Sequence, residues 1–132
     1  GMVMAGSEDG IIPPEDSKAI FDDLNAPKYF LEIGEVGHVG FTDVCLIGAA
    51  QGGLVGIIKA AGLDLPENDL RLASDGCGDQ YLDPQAGFDA MNQFTVAFMR
   101  GYLGVDPEPV GLDQATADQF APTEVTITAD PG

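Results

Sequence analysis

Basic residues are scarce in this chain: five lysines and arginines stand against 22 aspartates and glutamates in 132 residues, a formal net charge of −17. A field of that sign repels phosphate backbones and anionic lipid surfaces, so neither nucleic acid nor a membrane is an expected partner. The acidity reads first as a solubilising surface, with an extracellular or saline habitat as the alternative. Long apolar runs are missing as well. The most apolar stretch, residues 44–61, is broken by glycines and a glutamine, whereas a membrane helix needs roughly 18–20 uninterrupted apolar residues. The start shows no basic segment followed by an apolar one, as a secretory signal would; Gly1-Met2 reads as a tag remnant ahead of an initiator methionine. No Cys-x-x-Cys, His-x-x-x-His or EF-hand spacing occurs, and Gly52-Gly53 is not followed by Lys-Ser or Lys-Thr, so the motifs of zinc, calcium and nucleotide sites are lacking and no cofactor or metal is expected. Groups that attack or titrate near neutral pH are few: one histidine, His38, and three serines, Ser7, Ser17 and Ser74.

What is present suits one packed domain over residues 1–132, since 45% of residues are hydrophobic and the length is ordinary for a single core, and the order of its elements points to the α/β class. Met2–Gly6 is a short apolar run ending in Gly-Ser-Glu-Asp-Gly, a buried strand running into a turn. Pro13-Pro14 opens a helix of about ten residues with Ile20, Phe21 and Leu24 on its apolar face, and Asn25-Ala-Pro27 stops it. Lys28–Ile33, aromatic and β-branched, reads as a second strand. Strand, helix, strand implies a parallel pair joined by a right-handed crossover. Residues 46–61 read as a helix despite four glycines, and residues 62–84 as an ordered connection with a short helix near 68–73. The strongest helix spans 84–103, where Phe88, Met91, Thr95, Phe98 and Tyr102 form a stripe expected to lie on the sheet. Residues 105–132 read as an irregular tail or arm until the alternation over 124–128, which suggests a late strand or extended segment. Cys45 and Cys77, 32 positions apart in loop-like sequence, are expected to form a disulfide, stabilising the fold by about 3–4 kcal/mol and implying an oxidising compartment. Two independent buried thiols are the alternative.

His38 lies in a glycine-flanked loop directly after the second strand, and Asp9 in the loop after the first. Both loops leave the C-terminal edge of a parallel pair, where open α/β sheets build their sites. Taken alone, Asp9 reads as a turn aspartate capping local amides, while for His38 a loop histidine without a role and a functional one stand level. In order, Gly6-Ser-Glu-Asp9-Gly-Ile-Ile-Pro13, Ala26-Pro-Lys-Tyr-Phe-Leu-Glu-Ile33, Gly37-His38 and Phe41-Thr-Asp43 resemble the closing segment of the α/β-hydrolases. The similarity is greatest to their dienelactone-hydrolase, polyester-hydrolase and platelet-activating-factor-acetylhydrolase-like branches. Asp75-Gly-Cys77 and the helix from Asn92 to Leu103 resemble the C-terminal region of secreted members, and the likeness covers about residues 2–113. It implies a partial α/β-hydrolase fold, made of the last two parallel strands, the crossover helix and the C-terminal helices. It also implies that Asp9 is the catalytic acid and His38 the catalytic base of a serine carboxylesterase-type triad.

The chain departs from that pattern at the nucleophile. The family's Gly-x-Ser-x-Gly elbow precedes the acid, and only eight residues precede Asp9. The nearest local mimic, Leu72-Ala-Ser74-Asp-Gly76, follows the histidine, lacks the first glycine and reads as turn sequence. The amide donors of an oxyanion hole are missing with the early strands. Three readings follow: the C-terminal part of a serine ester hydrolase, inactive alone; a stand-alone binding or structural module of the same fold; or an enzyme whose nucleophile comes from a second polypeptide. Two parallel strands make a poor independent sheet, so a homodimer pairing Met2–Gly6 with its own copy is expected. The parent substrate would be a small ester and the location secreted or periplasmic.

Overall fold

A computed structural model describes residues 1–132. The centre is a mixed three-stranded sheet of order β1-β2-β3, with β1 at Met2–Gly6, β2 at Lys28–Ile33 and β3 at Val125–Asp130. β1 and β2 are parallel, with Met4 opposite Leu31, and β3 returns antiparallel along the other side of β2, with Ile127 opposite Leu31. The sequence thus anticipates the parallel pair and its connecting helix, while the third strand makes the sheet more than the two parallel strands expected.

Alternation along the strands divides the side chains between two faces. On one, Val3, Ala5 and Phe30 pack with Phe21 of α1 (Pro14–Asp23), the Phe21 and Phe30 rings lying 5.8 Å apart. That helix starts where its sequence says: Pro13 is the N-cap, Pro14 fits the first position without needing an amide partner, and Glu15 and Asp16 complement the positive end of the helix dipole. Of the apolar face read from sequence, Phe21 is buried, Leu24 half-buried, and Ile20 exposed.

The other face carries the larger core. Tyr29, Leu31 and Ile33 of β2 and Val125 of β3 are covered by α4 (Pro84–Tyr102), with Leu112 and Ala117 of the following segment completing the cluster. Burying a leucine or isoleucine of this kind stabilises by about 1.5–3 kcal/mol, and Leu31 and Ile33 are both fully buried. Asp83 caps α4 by accepting from the amide of Gln85 at 2.9 Å, and Pro84 occupies its first position. The buried line on α4 is Gly87, Ala90, Phe94 and Ala97. The expected stripe of Phe88, Met91, Thr95, Phe98 and Tyr102 is displaced by one residue and flanks the interface instead, with Tyr102 exposed. Three of the four residues on the buried line are small and carry little hydropathy signal of their own. At the start of β2, the Tyr29 hydroxyl meets that of Tyr102 at 2.9 Å, and burial, then the Tyr102 hydroxyl, pushes the Tyr29 phenol up to about 12.

Two further segments differ from expectation. Residues 46–61 do not form one helix: short 3-10 turns at Asp43–Cys45 and Ala49–Gln51 precede α2 (Gly53–Ala60), because Gly48, Gly52 and Gly53 adopt positive φ of 65°, 84° and 72°. A right-handed helix cannot run through that conformation. The short helix expected near 68–73 is α3 (Glu67–Leu72). Residues 105–132, read as an irregular tail or arm, contain α5 (Gln114–Ala117) as well as β3, and bury Leu112, Ala117 and Val125. The side chain of Gln114 lies along the outer edge of β3, donating to the Val125 carbonyl at 2.9 Å and accepting from the Ile127 amide at 3.1 Å.

Candidate active site

The loops that carry Asp9 and His38 leave the C-terminal ends of β1 and β2 and are bonded to each other before either reaches its candidate side chain. The Ser7 amide donates to the Ile33 carbonyl and the Glu8 amide to the Val36 carbonyl, each at 3.0 Å. The Glu35 amide donates to Ser7 Oγ at 2.9 Å. A Cβ at Gly6 would lie 2.1 Å from the Val36 carbonyl oxygen, so only glycine permits this approach.

Asp9 then uses its two oxygens differently. Oδ1 accepts from the amides of Ile11 at 2.9 Å and Ile12 at 2.7 Å, which fixes the carboxyl plane. Oδ2 faces His38 Nδ1 at 3.0 Å. The local capping role and the contact with histidine are therefore both present in one residue. A carboxylate can only accept, so Nδ1 is the donor of this bond, and in the neutral imidazole that tautomer puts the free lone pair on Nε2. The Asp9 side chain is 10% exposed and that of His38 28%, an acid shielded from water beside a base that can be reached. His38 opens a 3-10 turn, His38–Phe41, that packs against α4.

Between the loops sits Asp75, 9% exposed, in the turn after α3. Its Oδ2 accepts from the amides of Gly10 at 3.0 Å and His38 at 2.9 Å, its Oδ1 accepts from the Tyr81 hydroxyl at 3.3 Å, and its main-chain carbonyl accepts from Val39 at 2.7 Å. Burial, then the negative charge of Asp75, pushes the Tyr81 phenol above its ordinary value, which keeps that hydroxyl a donor. Gly37 and Gly76 allow the contact: a Cβ on Gly37 would stand 2.5 Å from the Gly76 Cα, and Gly76 itself has φ of 108°. The next residue, Cys77, is bonded to Cys45 with Cα atoms 5.2 Å apart, inside the usual span of a disulfide.

No protein-family model, curated protein or solved structure matches this chain.

Of the residues singled out in the sequence, Asp9 and His38 come together, and the three serines do not join them. Ser7 Oγ accepts from Glu35, Ser74 Oγ donates to the Leu70 carbonyl at 2.8 Å in a turn, and Ser17 lies on α1. Two open grooves flank the disulfide, one bounded by Leu46, Tyr81 and Leu82 and the other by Ala49, Val55 and Ala73; neither is lined by Asp9 or His38. Asp75 and Tyr81 escaped sequence reasoning. The signal was a lone aspartate before Gly76 and Cys77 in a segment that read as turn, where nothing local distinguishes a buried carboxylate from a solvated one.

Proposed function

We propose that this chain is the acid–base part of a serine carboxylic-ester hydrolase of the α/β-hydrolase kind, with Asp9 as catalytic acid and His38 as base, and that it turns over no ester alone. The observation that carries the reading is the 3.0 Å contact between Asp9 Oδ2 and His38 Nδ1, with the other Asp9 oxygen locked by two amides. In that chemistry a hydroxyl placed about 2.6–3.2 Å from His38 Nε2 loses its proton to the imidazole as it attacks the ester carbonyl. The imidazolium next to Asp9 returns the proton to the leaving alcohol, and the carboxylate stabilises the cation without taking its proton. The Cys45–Cys77 disulfide favours an oxidising location, secreted or periplasmic.

Because the chain has a single histidine, nitrogen-15 NMR of the imidazole reports on this site without ambiguity. The wild-type chain is expected to hold its proton on Nδ1 and to lose that preference in Asp9→Ala. A short-chain chromogenic ester should show no saturable turnover with the purified chain, and saturable turnover abolished by His38→Ala would overturn the claim of inactivity. The encoding DNA supplies the remaining discrimination: an open frame continuing upstream into Gly-x-Ser-x-Gly is expected. A stop codon in its place would favour a stand-alone binding or structural module.

The same reading leaves β1 in need of a neighbour. In a parallel strand, alternate residues turn their amides to opposite sides; Gly1 and Ser7 bond to β2, which turns Met2 and Met4 outward. Pairing of this apolar edge with its own copy about a two-fold axis satisfies those groups. Sedimentation at micromolar concentration should give a dimer, with the Met2 and Met4 amides protected from exchange; a folded monomer under those conditions excludes it.

A further inference from the structure

We infer that Asp75 is a positioning residue for the Asp9–His38 pair, tying the acid loop to the base loop through a single buried carboxylate. The inference rests on the acid–base reading above and extends it to a third residue. One oxygen of Asp75 receives two amides from different loops: that of Gly10, which directly follows the acid, and that of His38 itself. The relative placement of the two side chains therefore depends on that oxygen as well as on their own contact. Hydrogen bonds to an ionised acceptor are roughly twice as strong as neutral ones, and this acceptor is nearly out of water.

Asp75 is itself held. Its amide donates to the Arg71 carbonyl at 2.9 Å at the end of α3, and Arg71 Nη1 reaches the Gly10 carbonyl at 2.9 Å. Tyr81 fills the second carboxyl oxygen. The Gly37–Gly76 contact and the disulfide close the same unit from the other side. No other buried charged side chain occurs in the chain, and every polar atom of this one has a partner. A charge is expensive to bury and survives where its bonds repay it; here those bonds go to the two loops that carry the pair.

The geometry separates positioning from mere stability. In Asp75→Asn, the amide oxygen can take the place of Oδ2 and accept both amides, while its NH2 donates to the Tyr81 oxygen, which accepts as readily as it donates. In Asp75→Ala, both amides lose their acceptor. The expected result is that Asp75→Asn retains the His38 Nδ1 proton signal and slow exchange of the Gly10 and His38 amides. Asp75→Ala loses the signal and speeds exchange of those two amides by on the order of tenfold, with the core amides of β2 still protected. A role confined to stability would lower the melting temperature of Asp75→Ala while leaving the tautomer unchanged, and that outcome overturns the inference. Should Asp75→Ala fail to fold, the wild-type protein decides. Gly10 and His38 amides exchanging together and far more slowly than exposed loop amides support the role, and exchange at exposed-loop rates refutes it. Asp9→Ala separates the two claims. If it leaves the Nδ1 signal unchanged, the acid–base reading fails and the role of Asp75 falls with it; if it abolishes the signal and a folded Asp75→Ala does not, the positioning role alone is wrong.

Discussion

Phe94→Ala is expected to lower the free energy of unfolding by about 3–5 kcal/mol, seen as a fall in the urea midpoint at unchanged slope. Phe94 is fully buried near the middle of α4, in the cluster that includes Leu31 and Ile33, with its ring centroid 6.1 Å from that of Phe120. The neighbours on its own helix face are Ala90 and Ala97, which are too small to collapse into the space left behind. The cavity term therefore adds to the lost transfer energy, and the sum is comparable to a substantial part of the roughly 5–15 kcal/mol that keeps an ordinary domain folded. Two residues along, Val96 is 54% exposed; Val96→Ala should stay within about 0.5 kcal/mol. A similar loss at both positions would mean that α4 is rotated from the orientation described.

Removing the Cys45–Cys77 bond, by reduction or by a double change to alanine, should cost about 3–4 kcal/mol. The bond spans 32 positions, and its effect comes chiefly from the freedom it denies the unfolded chain. Helix α2 buries no residue and neither does α3, so the segment between the cysteines contributes little core to replace the link. Chemical denaturation with and without reductant measures the difference. A change below about 1 kcal/mol would show that the segment is held by its own packing after all, through Asp75 and the glycine contact.

The sheet pair, its crossover helix and the loops bearing Asp9 and His38 were legible because their signals are local. Pro13-Pro14 and Pro27 punctuate α1, the β-branched and aromatic run marks β2, and the glycines around His38 mark the loop that follows it. What escaped the sequence depends on contacts between distant segments. The buried line on α4 consists mostly of Gly87, Ala90 and Ala97, small residues with little hydropathy signal. The breaks at Gly48, Gly52 and Gly53 depend on the sign of φ, which composition cannot supply. Alternation identified residues 124–128 as strand-like but left open which neighbour they would join. Asp75 gains its meaning only when Gly10 and His38, 65 and 37 positions away, are brought to one oxygen.

The Gln114 amide stands in for a missing strand along β3: its carbonyl and NH2 take up one outward N–H and one outward C=O of the backbone. Growth of the sheet from that side would first have to displace it, whereas the apolar rim at Met2 and Met4 carries no such plug. Copies that joined there would use up their only welcoming border, so the proposed self-association would end at a closed pair instead of running on into a filament.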